Sequence, residues 1–201
     1  MLSIEIIKYS LSKPLPGIKI QKQLLPGNRA TMPSKKTAIK NGAVLILLFN
    51  KNNHIYFLLT KRTINLRFHS GQIALPGGKF DTADKSLLQT ALRETFEETG
   101  CRVSKNQVIA KLTPLYIPVS NFWVYPFVAY IPKYPVWQKN NTEVNLLIEV
   151  NLKDFLSVKP LHKTTMEDNK LIKIPYFLIN GYEVWGATAM ILNELKFMLQ
   201  R

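Results

Sequence analysis

The chain has 201 residues, of which 46% are apolar and 20% are charged, a composition typical of a folded globular protein and not of a disordered one. Lys and Arg number 27 against 13 Asp and Glu, and the resulting net charge of +14 favours an anionic partner. The basic residues are dispersed, so no run resembles a nucleic-acid-binding arm. Cys101 is the only cysteine, which excludes an intrachain disulfide and a cysteine-based zinc cluster.

The sequence shows no segment typical of a membrane protein or of an exported protein. The longest apolar run, Ala43 to Phe49, is too short to cross a bilayer, and the N-terminus lacks a basic leader followed by an apolar core. We therefore expect a soluble protein, and the single cysteine fits a reducing cytoplasm. Residues 1–40 combine a short predicted helix with an irregular Pro/Gly segment, so we interpret them as an N-terminal extension of one domain over residues 41–201.

Local signals predict a hairpin and a helix in the first half of the chain. The runs "GAVLILLF" and "HIYFLLTKR" are separated by "NKNN", whose asparagines suit a turn, and this predicts an antiparallel pair whose second strand ends near Thr60. Ser86 followed by Gln89 resembles a capping box, and Gly100 can end a helix in the left-handed conformation. The spacing predicts a helix over residues 87–99.

The second half of the chain is predicted to be mainly β. The segments "QVIAKLTPLYIP", "FWVYPFVAYI" and "EVNLLIEV" are β-prone, and Asn180-Gly181 is a strong signal for a two-residue hairpin turn. Apolar residues then recur at helical spacing near the end of the chain: Ile191, Leu192, Leu195, Met198 and Leu199. Strands around two helices predict an α+β domain.

The helix over residues 87–99 concentrates negative charge in this basic chain. At about 100° of rotation per residue, Arg93, Glu94, Glu97 and Glu98 share one face. The opposite face, which can pack against a sheet, carries apolar and threonine side chains: Leu88, Ala91, Leu92, Thr95, Phe96 and Thr99. We therefore expect a docked helix that presents a carboxylate cluster.

Three neighbouring carboxylates repel one another, and Arg93 can pair with Glu97 but leaves most of the charge unneutralised. A hard divalent cation such as Mg²⁺ or Mn²⁺, which prefers oxygen ligands, would neutralise the rest. The alternative is a solvated acidic face. Gly77 and Gly78 favour the metal, because they allow the chain to turn sharply and to bring a bare carbonyl close to the helix.

These residues resemble a known family. Gly78, five further residues, the acid Asp84, a spacer and "RETFEETG" are similar to the Nudix box, the metal-binding loop and helix of hydrolases that cleave a nucleoside diphosphate linked to another group. Two departures from the general pattern are present: Asp84 stands in place of glutamate, and eight residues separate it from Arg93 instead of seven. The resemblance implies a mixed sheet sandwiched between helices, an α/β/α arrangement.

The expanded spacing resembles the coenzyme A diphosphatase branch of that family. The upstream segment "LLTKRTINLRFHSGQIALPGGKFD" is similar to the extra motif of the branch, and "LPGNR", "VYPFV" and "WGATAMIL" agree with it elsewhere. The resemblance covers the chain from about Leu24 to Leu195. It implies hydrolysis of coenzyme A or acyl-coenzyme A to 3′,5′-ADP and a 4′-phosphopantetheine, and relatives in this branch often pair as dimers.

The resemblance also implies roles for the residues of the box. Glu94 and Glu98 are expected to lead the binding of Mg²⁺ or Mn²⁺, with Glu97 a further ligand or the general base, the Gly78 carbonyl a ligand, and Arg93 orienting the carboxylates. Glu143, in "NNTEVNLLIEV", is the alternative base, and a solvated glutamate at the start of a strand is an equally good interpretation of it. For Asp84 we favour helix capping over metal binding through water.

Substrate contacts are expected in the upstream motif, where basic side chains can meet the 3′-phosphate of coenzyme A and the remaining residues shape the loop. The candidates are Lys61, Arg62, Arg67, His69, Gly71 and Gln72. For His69, which could orient the loop or contact the substrate, we favour a structural histidine bonded to the backbone. The aromatic residues Phe122, Trp123 and Tyr125 either flank the adenine or pack in the core.

Two rival interpretations remain. The same chemistry could act on a dinucleotide, ADP-ribose or capped RNA, although the upstream motif argues against this. A basic RNA-binding module on an inactive scaffold would account for the net charge, but it would have no need of three neighbouring acids, so we expect no nucleic-acid partner.

Overall fold

A computed structural model describes residues 2–33, 38–64, 71–167 and 170–201. Its helices and strands are, in chain order: α1 Ile4–Leu11, α2 Ile18–Gln21, β1 Lys40–Lys51, β2 His54–Arg62, β3 Ile73–Ala74, β4 Gly77–Lys79, α3 Leu87–Thr99, β5 Val108–Lys111, β6 Leu115–Ile117, β7 Phe122–Ile131, β8 Val144–Asn151, α4 Leu152–Ser157, β9 Leu161–Glu167, β10 Lys170–Ile179, β11 Tyr182–Trp185 and α5 Gly186–Leu199. Short 3₁₀ turns lie at Lys22–Leu24 and Lys105–Gln107.

Strand β1 lies at the centre of a mixed sheet. It pairs antiparallel with β2 and β4 and parallel with β7, and β2 in turn pairs with β8 and β3. Strands β5 and β6 pair with β7, and β9, β10 and β11 form a separate three-stranded sheet. Both faces of β1 are buried, which explains why its sequence is a nearly continuous apolar run instead of an alternating one.

The two faces of β1 contribute to two hydrophobic clusters. Leu45 and Leu47 pack with Ala91 of α3, whereas Ile46 and Leu48 belong to the cluster that contains α1 and α5. Successive strand residues point to opposite faces, so this alternation places one helix layer on each side of the sheet. The expected mixed sheet between helices is confirmed.

The turns and the caps follow the local sequence signals. Asn180 and Gly181 have φ of 49° and 80° and join β10 to β11 as a two-residue turn, and Asn52 and Asn53 join β1 to β2 in the same way. Helix α3 has the expected bounds, with Ser86 as its N-cap. Strand β2 continues to Arg62, beyond the expected end, because its ladder with β8 includes the two basic residues.

The N-terminal segment is packed onto the rest of the chain. Ile7 is fully buried and Leu24 is 1% exposed, and both belong to the cluster that contains α5. The buried carboxylate of Glu194 on α5 accepts hydrogen bonds from the Gly17 N–H at 3.2 Å and from the Gln21 amide at 2.9 Å. Removing this segment would therefore expose core residues and leave buried polar groups without partners.

Helix α4 and strand β9 were not predicted. Strand β9 is exposed along almost its whole length, so it lacks the apolar alternation by which strands are recognised. Within the described parts of the chain, no helix has both the length and the apolar character needed to span a membrane.

Candidate active site

A glycine pair brings the acidic helix into contact with the sheet. Gly77 and Gly78 lie in β4, which pairs with β1 at Ala43 and Val44. Gly77 has φ of 147°, and a Cβ at this residue would overlap the β1 backbone, whereas a Cβ at Gly78 would overlap the carboxylate of Glu94. A larger side chain at Gly77 would therefore push β4 away from β1, and one at Gly78 would displace the carboxylate of Glu94.

Glu98 is the most enclosed acid of α3, with its side chain 2% exposed. Its Oε2 accepts a hydrogen bond from the Gly77 N–H at 3.2 Å, and its Oε1 lies 3.6 Å from a guanidinium nitrogen of Arg62. Burial raises the pKa of Glu98 to about 8, even though Arg62 and the Gly77 N–H favour the ionised form. The expectation that all three glutamates lie on an open face is therefore wrong for Glu98, which points between α3 and the sheet.

Arg93 is the hub of the cluster. Its Nε and Nη2 donate to the two oxygens of Asp84 at 3.0 and 2.9 Å, and its Nη1 lies 2.9 Å from Glu94 and 2.8 Å from Glu97. This arrangement fixes the guanidinium between three carboxylates. The role of Arg93 in orienting these carboxylates for metal binding stays a prediction.

Asp84 does not cap α3, which corrects the favoured interpretation. The N-cap is Ser86, whose hydroxyl accepts from the Gln89 N–H at 3.2 Å. The Asp84 carboxylate instead accepts hydrogen bonds from the Arg93 guanidinium and from the Thr90 hydroxyl, the latter at 2.8 Å. The Arg93 hydrogen bonds lower the pKa of Asp84 to about 2 despite its burial.

The remaining acids of α3 differ in exposure. Glu97 is 48% exposed, whereas Glu94 is 17% exposed, and burial raises the pKa of Glu94 although Arg93 opposes the shift. Among the described residues, no three acidic, histidine or cysteine side chains converge in the manner of a closed metal site. Arg93 lies against Glu94 and Glu97, whereas Glu98 accepts a hydrogen bond from the Gly77 N–H.

Glu143 lies on the loop before β8 and belongs to the same electrostatic environment. Its charge contributes to the raised pKa values of Glu94 and Glu98, in both cases after the larger effect of burial. Its carbonyl accepts a hydrogen bond from the Thr63 N–H at 3.0 Å, which joins the loop to the end of β2.

The two basic residues at the end of β2 face opposite sides of the sheet, as successive strand residues do. Arg62 points to α3 and Glu98, whereas the Lys61 amine lies 5.4 Å from the ring centroid of Tyr182 in β11. Among the described residues, the buried Nε of Arg62 has no hydrogen-bond partner.

The other predicted substrate contacts are only partly within the described residues. Arg67 and His69 lie outside them. Gly71 has φ of 69° and its N–H is 3.4 Å from the Thr63 carbonyl, and the Gln72 carbonyl accepts from the Arg62 N–H at 3.0 Å. The end of this loop is thus anchored beside β2.

The aromatic candidates on β7 are half-buried. Phe122 packs against the cluster that contains α5, and Tyr125 packs against the cluster that contains α3. The Trp123 ring lies 5.7 Å from the ring of Tyr116. Core packing accounts for the contacts of Phe122 and Tyr125.

Comparison with known proteins identifies the family. The sequence signature described as "NUDIX domain" matches residues 40–168. The chain belongs to the Nudix family. It is therefore a Nudix hydrolase, an enzyme that hydrolyses phosphoanhydride bonds of nucleoside diphosphate derivatives, and enzymes of this family generally use divalent metal ions.

Similar sequences occur in two bacterial proteins described as "Uncharacterized Nudix hydrolase NudL". The protein from Photorhabdus laumondii is 33% identical over 171 residues, covering 84% of this chain and 90% of the relative. The protein from Yersinia pestis (strain Pestoides F) is 38% identical over 141 residues, covering 69% of each chain.

A solved structure with the same fold is the MutT protein of Methanosarcina mazei Go1, with a TM-score of 0.54 and 19% identity over 84% of this chain and 97% of that one. The NUDIX domain of Shewanella oneidensis NrtR, complexed with ADP ribose, gives a TM-score of 0.50 and 25% identity over 64% of this chain and 82% of that one.

Proposed function

We propose that this Nudix hydrolase cleaves the diphosphate of coenzyme A or its acyl derivatives, giving 3′,5′-ADP and 4′-phosphopantetheine or its acyl form. The observation that carries the proposal is the contact between Arg62 and Glu98, at 3.6 Å. Arg62 belongs to the segment that resembles the extra motif of the coenzyme A diphosphatase branch, and Glu98 belongs to the acidic helix. A diphosphate substrate would need a carboxylate-bound cation and a basic side chain close to each other, as Glu98 and Arg62 are.

Mg²⁺ or Mn²⁺ is the proposed cofactor, and the donor chemistry fits it. Glu94, Glu97, Glu98 and the Gly78 carbonyl offer only oxygen atoms, which hard divalent cations prefer. The Glu94 carboxylate lies in the space that a Cβ on Gly78 would occupy, so the bare glycine backbone is close to this ligand. When bound, such an ion neutralises diphosphate oxygens and lowers the pKa of water.

The protein side chains have distinct proposed roles. Arg93, held by Asp84, fixes the orientation of Glu94 and Glu97. Glu143 or Glu97 accepts the proton of the attacking water, whose oxygen forms a bond to phosphorus while the bridging phosphoanhydride P–O bond breaks. The released phosphate group carries away the electrons of that bond.

Recognition of coenzyme A is assigned to the basic segment. Arg62 has an unpartnered Nε among the described residues and a side chain 25% exposed, so its guanidinium can reorient toward a phosphate. Arg67 is proposed to bind the 3′-phosphate, with His69, Gly71 and Gln72 shaping the loop. Because Lys61 lies on the opposite face of the sheet, it would contact a different part of the substrate from Arg62.

Another nucleoside diphosphate derivative is the second candidate. The NrtR domain, which shares this fold at 25% identity, is complexed with ADP ribose. The proposal therefore needs a direct comparison of substrates instead of a test with coenzyme A alone.

The experiment measures kcat/KM for coenzyme A, dephospho-coenzyme A, ADP-ribose and a capped dinucleotide, in wild type and in Arg67→Ala. We expect coenzyme A to be the best substrate. Loss of Arg67 should raise KM for coenzyme A more than for dephospho-coenzyme A, because only the former carries the 3′-phosphate. Equal losses on both would refute the role of Arg67, and a preference for ADP-ribose would refute the substrate assignment.

A further inference from the structure

The loop of residues 138–143, here called the Glu143 loop, docks on the C-terminal end of α3. The last carbonyl groups of a helix lack partners within the helix. Here the Gln138 N–H donates to the Thr99 carbonyl at 2.9 Å, and the Asn140 N–H donates to the Glu98 carbonyl at 3.1 Å. The position of the loop is therefore tied to the helix that carries the metal-binding acids.

A second tether joins the Glu143 loop to the end of β2. The Thr63 N–H donates to the Glu143 carbonyl at 3.0 Å, and the Thr63 hydroxyl donates to the Thr142 carbonyl at 3.1 Å. The backbone of Glu143 is thus held between the acidic helix and the strand that ends in Arg62.

Within the Glu143 loop, one side chain shapes the turn that leads to the glutamate. The Oδ1 atom of Asn140 accepts hydrogen bonds from the Thr142 N–H at 3.0 Å and from the Thr142 hydroxyl at 2.7 Å. The backbone carbonyl of Asn140 accepts hydrogen bonds from the Glu143 N–H at 3.3 Å and from the Val144 N–H at 2.9 Å. Asparagine favours such turns because its side-chain oxygen can bond the backbone two residues later.

We propose that Asn140 is a positioning residue that sets the carboxylate of Glu143 at the active site, where Glu143 acts as the general base. This inference rests on the proposed function, because it assigns the proton acceptor of that reaction. The hydrogen bonds of the Asn140 side chain go to Thr142, so Asn140 acts through the loop and not on the substrate. The hydrogen bonds from the loop to α3 and from Thr63 to the loop hold the Glu143 backbone beside the helix that carries Glu94 and Glu98.

The size of the effect follows from what a base contributes. A positioned general base supplies roughly 10²- to 10⁴-fold in rate, and a displacement of about 1 Å can cost roughly 10²-fold. Glu143→Gln should therefore lower kcat about 10²-fold or more. Asn140→Ala, which removes both Oδ1 hydrogen bonds, should lower kcat roughly 10- to 100-fold with KM changed by less than about twofold.

A double-mutant cycle tests the inference on the best substrate of the panel. If Asn140 acts through Glu143, Asn140→Ala should have no further effect on kcat in a Glu143→Gln background. Asn140→Asp keeps the oxygen acceptor and should restore most of the lost kcat. Asn141→Ala makes the same chemical change at the adjacent exposed residue and should behave as wild type.

Several results would overturn the inference: a Glu143→Gln variant with nearly wild-type kcat, additive losses in the double variant, an effect confined to KM, or no recovery in Asn140→Asp. If Asn140→Ala does not fold, Thr142→Val removes only the hydroxyl hydrogen bond and should show the same non-additivity with Glu143→Gln. Failure of the coenzyme A assignment would be recognised separately, because the cycle can be measured with whichever nucleoside diphosphate derivative is hydrolysed.

Discussion

Replacing Glu98 by glutamine tests the cost of burying an ionised carboxylate between α3 and the sheet. Burial raises the pKa of Glu98 from its ordinary 4.5 to about 8, so the native state holds the proton more tightly than the unfolded chain does. The stability linked to that proton is fully present below about pH 4.5. It is lost as the pH rises from there to about 8, because native Glu98 must then ionise in a buried position.

The size of this loss in the free energy of unfolding follows from the difference between the unfolded and native pKa values of Glu98. At about 1.36 kcal/mol for each pH unit, the metal-free wild type should lose about 4–5 kcal/mol relative to a variant whose side chain stays neutral. Glu98→Gln should therefore match wild type near pH 5 and be several kcal/mol more stable near pH 8.5. Added Mg²⁺ should narrow the difference, because an ion that binds only native wild type stabilises it.

Urea unfolding in the presence of a chelator, at pH 5, 6.5 and 8.5, measures this difference. Glu97→Gln is the matched control, since Glu97 is 48% exposed on the same helix, and its free energy of unfolding should stay within about 0.5 kcal/mol of wild type throughout. Equal stability of wild type and Glu98→Gln at pH 8.5, or an advantage that is larger at pH 5, would refute the burial argument.

Three further substitutions test the construction of the site and the role of the N-terminal segment. Gly78→Ala should lower kcat/KM by about 10²-fold or more, because the added methyl group would displace the Glu94 carboxylate, and steady-state kinetics measures it. Asp84→Asn should lower the free energy of unfolding by about 2 kcal/mol at pH 7 and by little near pH 2, where about half of the native carboxylates are protonated and nearly all of the unfolded ones are. Urea titration at the two pH values checks this. Ile7→Ala should cost about 2–4 kcal/mol in the same assay, because Ile7 is fully buried in the main cluster, and a loss below 1 kcal/mol would mean that the segment is dispensable.

Features that depend on nearby residues could be predicted from the sequence. The bounds of α3 follow from Ser86 and Gly100, and the turn at Asn180-Gly181 follows from the conformations that these two residues adopt readily. The glycine pair beside the acidic helix was also expected. These signals act over a few residues, so no knowledge of the tertiary structure is needed. The mixed sheet between helices, in contrast, was expected from the resemblance to the Nudix family.

Features that depend on tertiary contacts could not be predicted in the same way. The burial of Glu98 depends on where α3 meets β4. A helical wheel shows that Glu98 belongs to the acidic face of α3, but it cannot show whether the edge of that face is covered by the sheet. Asp84 was expected to cap α3 because it precedes the helix, but its carboxylate instead accepts two hydrogen bonds from the Arg93 guanidinium. The opposite directions of Lys61 and Arg62 would have followed from strand alternation if β2 had been extended to Arg62.

Mass analysis of the products tests the account most directly. Purified protein incubated with coenzyme A and Mg²⁺ or Mn²⁺ should yield 3′,5′-ADP and 4′-phosphopantetheine, and a chelator should abolish both products. Undiminished turnover in the chelator would contradict the metal-dependent mechanism, and intact coenzyme A beside hydrolysed ADP-ribose would contradict the proposed substrate.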